Sequence, residues 1–134
     1  MIVVDTSAFV AIAFAEPERD AFLAVIERSK RALVSTPIVV ETRLVLHARR
    51  GQRAVILFDD LLRLPQFELV PPSNVETTAA YAAFVSFGKG SGHPAGLNFG
   101  DLFSYALAKT RNLPLLFKGN DFAQTDLVSA CQRA

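Results

Sequence analysis

Ile2-Val3-Val4-Asp5-Thr6-Ser7-Ala8 is the stretch that decides the fold. Three β-branched apolar residues are too few for a helix and make a short strand buried on both faces. An acid and two hydroxyl residues follow at once, the residue types that start a helix by capping it. Working outward, Pro17 is placed to open a second helix, with Ala21, Val25 and Phe22, Ile26 on neighbouring faces. Arg28, Lys30 and Arg31 close it, where cations favour the helix dipole. Leu33-Val34-Ser35 is a second strand. A helix from Pro37 to about Arg50 carries Val40, Leu44 and Val45 inward and ends at Gly51. Another runs from Gln52 to Leu64 and stops at Pro65; Phe67 to Val70 is a third strand before Pro71-Pro72. Asn74 caps a helix reaching about Phe87, and Gly88 to Gly96 is a flexible glycine-rich loop. A helix from about Phe99 to Arg111 leads into a strand at Leu115 to Phe117, a turn at Gly119-Asn120, and a fifth strand at Leu127-Val128. Short apolar strands alternating with helices specify an α/β fold of three layers, a parallel sheet covered on both faces.

At 134 residues one core serves the chain, giving a single domain over residues 1–134. An apolar fraction of 51% with a net charge of +1 excludes a disordered chain. The lone cysteine, Cys131, excludes an internal disulfide or a thiolate zinc cluster and suits a reducing cytoplasm. The uncharged run from Thr6 to Ala15 falls short of the roughly 20 residues that span a bilayer, and no basic segment precedes it, so neither a membrane anchor nor a signal peptide is expected. With 14 basic and 13 acidic residues, net charge does not point to nucleic acid, and any basic footprint has to be local. The apolar excess in so small a chain points to self-association as a dimer.

Parallel sheets place their sites beyond the carboxyl ends of the strands. Most acids, among them Glu16, Glu18, Asp59, Glu68 and Glu76, read as solvated surface. Four fall elsewhere. Asp5 ends the first strand, Glu41 lies one turn into the helix after the second, Asp101 opens the helix after the glycine loop, and Asp121 follows the fourth strand. Taken singly, each has an innocent duty, Asp5 and Asp101 as helix caps and Glu41 as a partner of Arg43 or Arg49. Taken together at one sheet edge, two carboxylates about 5 Å apart repel by roughly 3 kcal/mol at an effective dielectric near 20. Lys118 offsets one of them at most. A divalent cation that prefers oxygen, Mg²⁺ or Mn²⁺, is the economical remedy, and such an ion acidifies a bound water and stabilises charge on a phosphoryl oxygen.

Asp5-Thr6-Ser7-Ala8, Glu41, Asn98-Phe99-Gly100-Asp101 and Gly119-Asn120-Asp121-Phe122, in this order and spacing, resemble the PIN-domain nucleases, and more narrowly the VapC toxins of bacterial toxin–antitoxin pairs. The resemblance covers essentially the whole chain. It implies a five-stranded parallel sheet of order 3-2-1-4-5 and an Mg²⁺- or Mn²⁺-dependent ribonuclease, a hydrolase that cuts RNA phosphodiester bonds. It implies that Asp5, Glu41, Asp101 and Asp121 are catalytic and hold the metal, with Ser7 as the hydroxyl beside the first carboxylate and Asn98 and Lys118 supporting the site. Asp126, five residues past Asp121, is the alternative fourth acid; Asp121 directly follows the strand-four turn. The resemblance also implies a cognate antitoxin that blocks the acidic site, for which the helix faces Ala11 to Ala15 and Phe22 to Ile26 offer docking grooves.

Other chemistries fit less well. The glycine loop lacks the Gly-x4-Gly-Lys-Ser/Thr spacing of a phosphate cradle. His47 and His93, the two histidines, fall on a helix and in a loop, a poor acid–base pair for metal-free RNA cleavage. No Gly-x-Ser-x-Gly elbow is present, and Asp5-Thr6-Ser7 is not the Asp-x-Asp pair of a phosphatase. Arg43, Arg49, Arg50 and Arg53 form one basic cluster and Lys109, Arg111 and Lys118 another, either solvated helix ends or a local path for an RNA backbone. A fold that only binds a partner is the remaining alternative, separated from an enzyme by metal-dependent cleavage.

Overall fold

A computed structural model describes residues 1–131. The expected single domain includes residues 132–134, which lie outside the described residues. The strands are β1 (Ile2–Val4), β2 (Ala32–Ser35), β3 (Phe67–Val70) and β4 (Leu115–Leu116). The helices are α1 (Thr6–Ala13), α2 (Arg19–Arg28), α3 (Thr36–Arg50), α4 (Gln52–Leu62), α5 (Asn74–Phe87) and α6 (Phe99–Arg111), followed by a 3₁₀ turn at Phe122–Gln124.

All strand pairs are parallel, in the order β3-β2-β1-β4, with Val3 opposite both Leu33 and Leu115. Alternation along each strand divides the core. Ile2, Val4, Ala32, Val34 and Leu116 pack with α1 to α4, whereas Val3, Leu33, Val70 and Leu115 pack with α5 and α6. This is the three-layer α/β arrangement expected from the strand–helix alternation.

The fifth strand is reduced to one bridge. Leu115 N–H donates to the Val128 carbonyl at 2.9 Å and Ala130 N–H to the Leu115 carbonyl at 2.8 Å, pairing Leu115 with Ser129 only. With β4 itself two residues long, flanked by Pro114 and the Gly119 turn, there is no ladder for a longer strand to extend. Among the described residues the sheet therefore has four strands, and Leu127-Val128 passes its edge.

Three local expectations change. Ser73, not Asn74, caps α5, in a capping box with Glu76, whose carboxylate is consequently buried. The second helix begins at Arg19; Pro17 stands in the turn before it. On α3 the buried stripe is Ile38, Val39, Thr42 and Leu46, while Val40 and Leu44 are exposed and Val45 is half-buried.

Candidate functional site

Each strand of this sheet delivers the chain to the same edge, and the carboxyl ends of β1, β2 and β4 meet there with the start of α6. Between them lies a cleft of about 490 Å³ whose wall includes Asp5, Glu41 and Asp101, with Asn98, Ser7 and Lys118 beside them.

Asp5 is the buried member, 2% exposed. Its Oδ2 accepts from the Ser7 backbone N–H at 3.0 Å and from the Ser7 hydroxyl at 2.8 Å, capping α1; its Oδ1 accepts from the Ser104 hydroxyl at 2.6 Å. Ser7 Oγ in turn accepts from the Lys118 backbone N–H at 3.0 Å, tying the end of β4 to the start of α1. The capping role and the convergence thus coexist in one side chain.

Asp101 also caps. Its Oδ2 accepts from Asn98 N–H at 3.0 Å, while Asn98 Oδ1 accepts from Asp101 N–H at 2.9 Å, closing the capping box of α6. Burial pushes the Asp101 carboxyl up to about 7 against the lowering bond from Asn98, and the negative charges of Asp5, Glu41 and Asp121 push the same way. Glu41 is raised too, chiefly by burial and also by Asp5, with the Thr6 hydroxyl acting in the opposite sense. Among the described residues none of Asp5, Glu41 and Asp101 forms an ion pair; Arg43 pairs with Asp59 at 3.0 Å and leaves Glu41 to the cleft.

Two expected residues take other places. Asp121 is exposed in the turn after β4, outside the cleft wall, yet close enough to raise Asp101. Asp126 is at the far end of α6, where it accepts from Tyr105 Oη at 2.6 Å and from Lys109 Nζ at 2.7 Å. Those two donors hold its carboxyl below the usual range against the effect of burial. Lys118 Nζ reaches neither Asp5 nor Asp101, pairing instead with Glu16 at 3.2 Å and Glu18 at 3.3 Å.

Sequence reasoning missed several participants. Ser104 is fully buried one turn past Asp101, a polar residue on the inward stripe of α6. Thr42 and Thr6 join α3 to α1 through hydroxyls 3.1 Å apart. Gly100 gives Glu41 room: a Cβ there would stand 1.8 Å from Glu41 Oε2. A glycine in the first turn of a helix, where it lowers helix stability, is the signal that went unread. Glu16 from the α1–α2 turn and Arg49 from α3 also line the wall.

The donor set fits a hard divalent cation: the acids that meet are all carboxylates, none is ion-paired among the described residues, and the backbone is cut back to glycine where two helices meet. Among the described residues no three acids, histidines or thiols stand close enough together to hold one metal ion between them as the side chains are placed. Mg²⁺ does not require one, because it keeps several waters and takes one or two carboxylates.

A PIN-domain family model matches residues 2–128. Ribonuclease VapC30 of Mycobacterium tuberculosis is 44% identical over 128 residues, covering 96% of this chain and 97% of that protein. The crystal structure of Mycobacterium tuberculosis VapC20, a toxin that cleaves the sarcin–ricin loop, superposes with a TM-score of 0.78 at 18% identity, over 96% of this chain and 97% of the other. A toxin–antitoxin complex from Klebsiella pneumoniae superposes with a TM-score of 0.68 at 17% identity, over 97% and 98%. Fold, motif order and full-length sequence similarity agree, and the chain belongs to the PIN-domain family, within its VapC group.

Proposed function

We propose that this chain is a ribonuclease toxin that hydrolyses RNA phosphodiester bonds with Mg²⁺ or Mn²⁺ at the acidic cleft, and that a cognate antitoxin silences it. The observation that carries the reading is the convergence of Asp5, Glu41 and Asp101 on one cleft, none of them ion-paired among the described residues. The full-length similarity to proteins named VapC ribonucleases supports it. The cation would be held by Asp5, Glu41 and Asp101, with Asp121 at the rim as the fourth acid, and when bound it supplies an acidified water and neutralises charge on the phosphoryl oxygens. Ser7 and Ser104 fix the Asp5 carboxylate by three hydrogen bonds, so its orientation is set before substrate arrives. The Asn98 box holds Asp101 Oδ2, and among the described residues Oδ1 accepts no hydrogen bond, which leaves it available to cation, water or proton. Gly100 keeps Glu41 pressed against the start of α6.

The test is incubation of total cellular RNA with the purified chain in Mg²⁺, in Mn²⁺ and in EDTA, beside Asp5→Asn and Asp101→Asn. Discrete fragments that disappear in EDTA and in both variants are expected, and end mapping then identifies the target. Cleavage retained by both folded variants overturns the site. No cleavage by a folded, metal-loaded chain favours a non-catalytic binding partner.

Two surfaces fit the proposed protein partners. The antitoxin groove lies between α1, α2 and α4, about 380 Å³, lined by Ile12, Leu23, Leu57 and Leu61 with Arg19 at its edge. Phe22, Val25 and Ile26 are buried in the core, so α2 takes part through Leu23 instead of the stretch Phe22 to Ile26. A second copy is assigned to the apolar face of α3, α5 and the start of α6, where Val40, Leu44, Tyr81, Phe84 and Phe99 are exposed together. Light scattering should give a dimer that Leu44→Glu dissociates. No described helix is long and apolar enough to cross a membrane; we place the reaction in the cytoplasm, where its substrate and a reduced Cys131 belong.

A further inference from the structure

Building on the ribonuclease reading, we propose that Arg49, braced against Phe14, anchors the RNA strand by binding a phosphate next to the one that is attacked. Glu41, Val45 and Arg49 recur every four residues on α3 and all line the cleft, so one stripe of a single helix leads from the acids to a basic rim. Eight residues at 1.5 Å each separate Glu41 from Arg49 by about 12 Å along the axis, too far for both to serve one phosphate.

Among the described residues, Arg49 is the cation of the wall that is available. Lys118, the other, is engaged by Glu16 and Glu18. Among the described residues Arg49 pairs with no carboxylate; its guanidinium lies 5.5 Å from the centroid of the Phe14 ring, beside that of Arg50 at 4.6 Å. A guanidinium held by a ring face keeps its N–H donors free for an anion and loses less side-chain freedom on binding one. The favourable field at the carboxyl end of α3 does not account for this placement. Arg50 and His47 share that helix end, yet neither lines the cleft.

A polyanion approaching three carboxylates needs compensation away from the reacting centre as well as at it, and Arg49 supplies it one step along the strand. Its contribution is therefore to binding and depends on salt, since each phosphate neutralised on a single strand adds about 0.7 to the slope of log affinity against log salt.

The probe is a short fluorescein-labelled single-stranded RNA of mixed sequence, followed by anisotropy in EDTA so that it stays intact, across a salt series. Arg49→Ala is expected to weaken binding about tenfold at low salt and to lower the slope by about 0.7. Arg49→Lys should restore the slope and part of the affinity. Phe14→Leu should keep the slope while weakening binding a few-fold, because the charge remains and its bracing is lost. Wild-type and Arg49→Ala curves that coincide overturn the anchor and leave the ribonuclease reading standing. A wild-type chain that neither binds this RNA nor cleaves cellular RNA in Mg²⁺ overturns both. An Arg49→Ala chain that loses affinity for its antitoxin but binds RNA like wild type overturns the anchor in favour of a protein contact.

Discussion

Ser104 Oγ donates to Asp5 Oδ1 at 2.6 Å, joining residues 99 positions apart in a fully buried contact between α6 and the end of β1. A hydroxyl bound to a buried carboxylate is among the more valuable neutral donors, worth about 1.5–3 kcal/mol. Ser104→Ala should lower unfolding stability by about that amount, read as a shift in urea midpoint with an unchanged slope. An unchanged midpoint would show that Asp5 is held well enough by Ser7 alone.

Gly100→Ala should separate stability from activity. The added methyl meets the far end of the Glu41 side chain, which can swing aside, and alanine is up to about 1 kcal/mol better than glycine in a helix. The variant is therefore expected to melt no lower than wild type, while cation affinity by calorimetry and cleavage each fall by at least about tenfold as Glu41 leaves its place. Wild-type cation affinity in this variant would remove Glu41 from the site.

The Asp101 carboxyl, pushed up to about 7 by burial and by its acidic neighbours, makes the metal-free protein sensitive to pH. Its unfolded counterpart titrates near 4. Between those values the folded state binds more protons than the unfolded one, so stability falls as pH rises from about 4 to about 7. Without metal, the melting temperature should decline across that window, and Asp101→Asn should flatten the decline. Added Mg²⁺ should raise the melting temperature at pH 8 far more than at pH 5, since the cation requires the ionised acid. An equal effect of Mg²⁺ at both pH values would place the cation elsewhere.

Asp121 and Asp126 are separable. Asp121→Asn should cut cleavage sharply with little change in stability, because its side chain is exposed beside Asp101. Asp126→Asn should leave cleavage intact and cost about 1 kcal/mol through weakened bonds to Tyr105 and Lys109. The reverse pattern of cleavage loss would make Asp126 the fourth acid.

What the sequence made legible was whatever local chemistry enforces. Ile2-Val3-Val4 followed by Asp5 reads as a buried strand opening a capped helix, and Asp101 was expected to serve the start of its helix, as it does by bonding back to Asn98. What it concealed depends on partners far along the chain. Nothing near Ser104 announces Asp5, and nothing near Lys118 announces Glu16 and Glu18 across the cleft rim. Val40 and Leu44 were expected inside because apolar periodicity marks a face without saying what covers it; they point outward, and Ile38, Val39, Thr42 and Leu46 face the sheet. The fifth strand failed for a related reason, since Leu127-Val128 has strand character but only Leu115 to pair with.

Because Asp5 caps α1 and Asp101 closes the capping box of α6 from inside its first turn, the genetic routes to a harmless copy of this gene are narrow. Of the changes one base away from an aspartate codon, Asn keeps a capping oxygen, whereas Val, His or Tyr removes it and frays the helix. An Asn allele yields an intact inert chain that still occupies whatever partner the active chain recognises; most of the others yield a weakened chain exposed to proteolysis. Selection for loss of activity and selection for loss of the protein should therefore leave different substitutions at the same two codons.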